Sequence, residues 1–164
     1  MVGETDHKAI VTNTTFRRCP WASILYAYDR NWWKQYIKEV REVFSGDKFC
    51  ESPHLVQRDI RSSRLIQGFH AFGNSGASAV ALAIALGSRR IVMLGYDCEI
   101  AEDGRTHWHG NHPEGLQNCD SIGRWPSKFE RLSRYAASKG ATVLNASRYT
   151  SLGCFERADL ADCL

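Results

Sequence analysis

The sequence predicts an α/β fold: a mainly parallel sheet with helices on both faces. Three observations carry that expectation. Short apolar runs recur at residues 8–12, 21–28, 91–96 and 141–144. Stretches with apolar residues at helical spacing lie between them, and strands alternating with helices argue for parallel pairing. The runs also share an ending, with Asn13, Asp29, Asp97 and Asn145 following them in turn. In a parallel sheet such strand ends collect on one rim, where open α/β sheets bind ligands. Asn and Asp are also ordinary turn formers after strands, so the rim is a set of candidates rather than a site.

Residues 8–12 (Lys-Ala-Ile-Val-Thr) read as a first strand and residues 21–28 (Trp-Ala-Ser-Ile-Leu-Tyr-Ala-Tyr) as a second. Residues 31–44 carry Trp33, Tyr36, Ile37, Val40, Val43 and Phe44 with charges between them, the pattern of an amphipathic helix covering a sheet. Ser45-Gly46-Asp47 stops it, and residues 48–50 make another short strand. Residues 51–72 read as irregular. Residues 98–124 form a long polar connection, longer than a compact domain spends on a plain loop. Residues 126–138 place Phe129, Leu132, Tyr135 and Ala136 on one helical face. Gly140 then ends that helix, residues 141–144 read as the last strand, and residues 145–155 as a C-terminal loop.

The most informative unit runs from Gly73 to Asp97. Gly73-Asn74-Ser75-Gly76 is a tight turn, Ala77-Ser-Ala-Val-Ala-Leu-Ala-Ile-Ala-Leu-Gly87 a helix built of small residues, and Ile91-Val-Met-Leu-Gly-Tyr-Asp97 a strand. Ser75 has the residue type to cap the helix, and Gly87 the type that ends one in the left-handed conformation. The free N–H groups and positive dipole end of this helix face the turn, so an anion is expected there.

With 164 residues, the chain is read as a single domain over residues 1–164, large enough for a real core. A formal charge of +3 is too small an excess to imply nucleic-acid binding without a basic stripe. The densest basic run, Arg58, Arg61 and Arg64, reads as a solvated face. No segment approaches a membrane span of about 20 apolar residues, and residues 1–12 lack a signal-peptide core. Cys19, Cys50, Cys98, Cys119, Cys154 and Cys163 are scattered without Cys-x-x-Cys spacing. They read as reduced core residues of a cytoplasmic protein rather than as a zinc site.

His107-Trp108-His109-Gly-Asn-His112-Pro is the most chemically loaded stretch. Three histidines in a glycine-containing loop can converge on a metal, supply a general base or phosphate contact, or simply satisfy the local backbone. The spacing lacks a helical His-x-x-x-His pair with its glutamate, so the expectation is service to a ligand, with no metal and no cofactor. Trp108 can stack on a base or plug the loop.

The 73–97 unit resembles the corresponding segment of bacterial CMP-sialic-acid-dependent sialyltransferases and their relatives linked to flagellin glycosylation. Over nearly its whole length the chain is similar to small phage-encoded proteins sometimes labelled morphogenetic. The likeness rests on Pro20-Trp21-Ala22, Asp29-Arg-Asn-Trp32-Trp33, the His107–Pro113 loop, and Asn145-Ala-Ser-Arg148-Tyr-Thr-Ser-Leu-Gly-Cys-Phe155. The resemblance implies a Rossmann-like, nucleotide-sugar-transferase type of domain. Asn13 stands where the family's asparagine touches the donor nucleotide, and Ser75 and Gly76 where its Ser-Gly pair holds it. One of His107, His109 and His112 stands at the catalytic base, His107 aligning most naturally. The family's first strand and its Gly-x-Gly-Pro-Ser loop have no counterpart here, which opens a sheet edge for a second copy to cover.

Three functions follow as expectations. The first is a phage protein that binds a nucleotide or nucleotide-derived small molecule, sequestering a host immune signal in the cytoplasm. Its ligand-binding set is Asn13, Asp29, Asn74, Ser75, Gly76, Asp97, Trp108, Asn145 and Arg148, its partners exclude nucleic acid and membrane, and it self-associates. The second is a metal-independent glycosyltransferase with a CMP-sugar-like donor and a histidine base. The third is a virion assembly protein.

Overall fold

Two parallel sheets and three α-helices make up an α/β fold. The computed structural model describes residues 7–52, 59–100, 104, 116 and 122–163. The first sheet has the order β1 (Ile10–Thr12), β2 (Ile24–Ala27), β3 (Asp47–Cys50), β4 (Arg61–Ser62). The second has the order β5 (Arg90–Met93), β6 (Thr142–Asn145), β7 (Glu156–Arg157). Every pairing is parallel, with Ile10 opposite Ile24, Tyr26 opposite Phe49 and Ile91 opposite Val143.

All four residues of β2 are buried because helices cover both its faces. Leu25 and Ala27 point into a cluster with Trp32, Trp33, Tyr36 and Val40 of α1 (Arg30–Val43). Ile24 and Tyr26 point the other way, against Ala79 and Leu82 of α2 (Ser75–Ala85). This is the period of two expected of a strand, hidden in the sequence because both faces are apolar. Each fully buried large side chain here contributes roughly 1.5–3 kcal/mol. The Trp33 indole also donates to the Ala27 carbonyl at 3.0 Å, tying the start of α1 to the end of β2.

α2 is nearly all buried because its small residues let three neighbours approach. Ala77, Val80, Ala81 and Ile84 join Met93, Val143, and Phe129, Leu132 and Ala136 of α3 (Trp125–Ser138). Gly87 follows at φ 101°, a conformation that terminates a helix and strains any side chain-bearing residue.

Several boundaries differ from the sequence reading. The second strand starts at Ile24, since 21–23 are spent in a turn that leaves Trp21 exposed. The 51–72 segment holds β4, whose two residues are too few for any periodicity to show. The strand at 142–145 is not the last, because β7 adds outside it through Leu144–Glu156 and Asn145–Arg157. Asp97 does not end a strand: β5 stops at Met93, and Gly95 at φ 72° turns the chain before Asp97. Most of the 98–124 connection lies outside the described residues.

Among the described residues no helix is long and apolar enough to cross a membrane. Among the described residues Cys19, Cys50, Cys154 and Cys163 are free thiols. Burial pushes Cys50 up to about 11.

Candidate functional site

Parallel pairing puts the carboxyl ends of β1 to β4 on one rim, and the start of α2 sits against it. β1 ends at Asn13, whose φ of 49° is left-handed, a conformation asparagine tolerates better than most residues. That twist opens a 3-10 turn over Asn13–Arg17. The Ser75 hydroxyl donates to Asn13 Oδ1 at 3.0 Å and accepts from the Tyr28 N–H at 3.0 Å. One hydroxyl thereby joins the ends of β1 and β2 to the first turn of α2. The Asn13 amide nitrogen is left without a partner among the described residues.

Ser75 is therefore not the helix cap. Asn74 is, with extended backbone and a side-chain oxygen that accepts from the Ala77 N–H at 2.7 Å. Ser75 is the first helical residue, which frees its hydroxyl for the strand ends. The N–H groups of Ser75 and Gly76 remain unspent among the described residues, at the positive end of an 11-residue helix.

Two further groups crowd this helix start. Lys128, on the first turns of α3, donates from Nζ to the Gly73 carbonyl at 2.6 Å. Burial lowers its ammonium pKa, as does Arg124 nearby, while Asp29 opposes them. Asp29 precedes α1 and makes no side-chain cap bond. One side of Asp29 meets solvent, yet the protein against the other side raises its carboxyl pKa, with Lys128 pulling it down. Asp29 and Lys128 thus face each other across the turn.

Tyr96 closes the other side. Its hydroxyl donates to the Gly76 carbonyl at 3.2 Å, and its ring packs edge-on against Phe129. A Cβ on Gly76 would lie 3.0 Å from Tyr96 Cε1, so glycine there admits the ring. Farther along the rim, the largely buried Glu51 pairs with Arg64, joining the segments after β3 and β4.

The structure brings Asn13, Asp29, Asn74, Ser75 and Gly76 together, as their positions after strands and before a helix require. It gives Asn145 a different task. Asn145 is fully buried, its oxygen accepting from the Ser147 N–H and its nitrogen donating to Thr150 Oγ1. Thr150 in turn donates to the Tyr96 carbonyl at 2.6 Å, and the Tyr96 N–H donates to Ser147. Asn145 therefore shapes the loop that holds Tyr96. Asp97 is exposed and its main-chain oxygen accepts from Ser151, while the Arg148 carbonyl accepts from Arg157. His107, Trp108, His109 and His112 lie outside the described residues.

Lys128, Tyr28 and Tyr96 belong to the site without a sequence signal. Lys128 is 55 positions from Gly73, and nothing local announces the pairing. Among the described residues no three His, Cys, Asp or Glu side chains group closely enough to hold a metal. A cavity of about 220 Å³, lined by Pro126, Glu130, Ser151, Leu152, Gly153 and Cys154, shares no residue with this rim. No protein-family model matches the chain, and neither does any curated protein or solved structure.

Proposed function

We propose that this chain binds a nucleotide-type small molecule at the Asn13–Ser75 rim and holds it without turning it over. A phosphoryl group occupies the Gly73–Gly76 turn, met by the Ser75 and Gly76 N–H groups and the Lys128 ammonium. The Asn13 carboxamide contacts the nucleoside part. The observation that carries this reading is the left-handed Asn13, fastened through Ser75 to Tyr28. A residue in a sparsely populated backbone state, held by a dedicated hydroxyl with its own amide nitrogen spare, is a common mark of a binding site. In the phage setting that the sequence resemblance suggests, holding such a ligand would withdraw a signal from the host cytoplasm.

Incubation with a panel of nucleotides and nucleotide sugars, then denaturation and chromatography of what was held, tests this. Ligand recovered unchanged is the expected result. Release of free nucleotide from a nucleotide sugar would replace it with the transferase reading, which depends on His107, His109 or His112. Retention of nothing would overturn nucleotide binding and favour a role in virion assembly.

A further inference from the structure

Four ion pairs, Arg17–Glu39, Arg41–Asp59, Arg61–Asp47 and Arg64–Glu51, tie together elements of the half built on the first sheet. On α3 and the loop beside it no ion pair forms among the described residues, with Asp29 the one carboxylate that acts on Lys128. At about 100° per residue, Arg124, Lys128, Arg131, Tyr135 and Lys139 fall within about 80° of one another, a single stripe on one side of α3. From Lys128 to Lys139 that stripe runs about 16 Å. Glu130, the one acidic residue of this helix, lines the 220 Å³ cavity instead.

The loop packed against α3 arranges the stripe. Arg131 lies over the Phe72 ring at 5.9 Å and Lys139 over the Tyr135 ring at 5.8 Å. The Tyr135 hydroxyl donates to the Gly68 carbonyl at 2.6 Å, and the exposed His70 ring meets Tyr135 edge-on. Arg89 adds its charge from the far end of α2, lining a cleft of about 130 Å³ with Gln67, Tyr135 and Lys139. Arg89, Arg124, Arg131 and Lys139 are exposed. No large exposed hydrophobic residue lies on the stripe itself, so it lacks the apolar centre of a protein interface.

The geometry points to a docking track for a nucleic-acid backbone along α3, reading phosphates and not bases. The formal net charge of +3 does not announce it, because acidic residues elsewhere in the chain offset the stripe. Phosphates repeating along a strand meet cations repeating along a helix, and each neutralised phosphate releases counterions. The track stands independently of the nucleotide site, sharing with it only Lys128.

Fluorescence anisotropy of a labelled mixed-sequence duplex of about 20 base pairs tests this, titrated across salt concentrations. The expected result is micromolar binding at low salt that weakens steeply as salt rises. The double variant Arg131→Gln/Lys139→Gln should bind about 10-fold more weakly and lower the log–log salt slope by about 1–2. Lys34→Gln, on the exposed side of α1, should match the parent. A thermal melt of each variant separates lost contacts from lost fold. Absence of binding at low salt, or a double variant that binds like the parent while folded, would overturn the track. Polyglutamate competing as well as unlabelled duplex would assign the face to an acidic protein instead.

Discussion

The Ser75 hydroxyl reaches Asn13 Oδ1 at 3.0 Å across 62 positions of chain. It lies at the meeting of two strand ends and one helix start, so a single oxygen atom sets the geometry of the candidate site. Removing it has consequences for stability as well as for binding.

Ser75→Ala strands the Tyr28 N–H and leaves Asn13 without its donor. Ser75 is buried, so the variant should lose about 1–3 kcal/mol of unfolding free energy. Urea denaturation monitored by tryptophan fluorescence checks this. A variant as stable as the parent would mean that water replaces the hydroxyl at no cost.

Gly76→Ala tests how tightly Tyr96 closes the helix start. The new Cβ would meet the tyrosine ring at 3.0 Å, so the ring or the helix must give. Overpacking costs about 1–3 kcal/mol and alanine's better helix propensity returns up to about 1 kcal/mol, so a small net loss is expected. Adding Tyr96→Leu should recover part of it, because the smaller side chain vacates the contested space. Equal stability of Gly76→Ala and the parent would contradict the packing described for this turn.

Asp29 predicts a pH dependence with a definite sign. Its carboxyl is raised by burial, so the folded state penalises the ionised form. Below the ordinary carboxylate range both states are protonated and the penalty is absent. Above the raised value the penalty is fully present. Asp29→Asn should therefore be more stable than the parent near about pH 7, and the advantage should shrink towards about pH 3. Paired denaturation curves at the two pH values measure it. An advantage that grows on acidification would mean that the carboxylate is favoured in the fold.

The two sheets predict self-association. Among the described residues β1 pairs only with β2 and β5 only with β6, so each sheet carries an open edge. Covering such an edge with a second copy satisfies backbone groups that otherwise face water. We expect sedimentation velocity at micromolar concentration to show a dimer or larger species. A strictly monomeric profile would rule this out.

The parts of the fold legible in the sequence were those with a long, one-sided pattern. α1 and α3 announce themselves because charges separate their apolar positions, and their observed ends lie within one residue of those expected. β4 and β7, with two residues each, were invisible, since two residues carry no period. The break into two sheets depends on which strands pair, a tertiary choice that local spacing does not encode. In the site, Asn13, Ser75 and Gly76 were legible from strand ends and a helix start. Ser75 was read as a cap because serine commonly caps, but the asparagine before it took that position and the hydroxyl turned to the strands. Lys128 and Tyr96 reach the site from elements 52 and 20 positions beyond Gly76, and no local pattern foretells such a meeting.

The central claim is that the Asn13–Ser75 rim holds a nucleotide-type ligand. Isothermal titration calorimetry of the parent and of Asn13→Ala, against the nucleotides retained in the panel experiment, tests it most directly. The account predicts saturable binding to the parent and at least about a 10-fold loss in Asn13→Ala, roughly the worth of one strong hydrogen bond, with the variant still folded though less stable, since alanine tolerates the left-handed φ poorly and the Ser75 hydroxyl loses its acceptor. Equal affinity in the two proteins would place the ligand elsewhere and contradict the assignment of this rim.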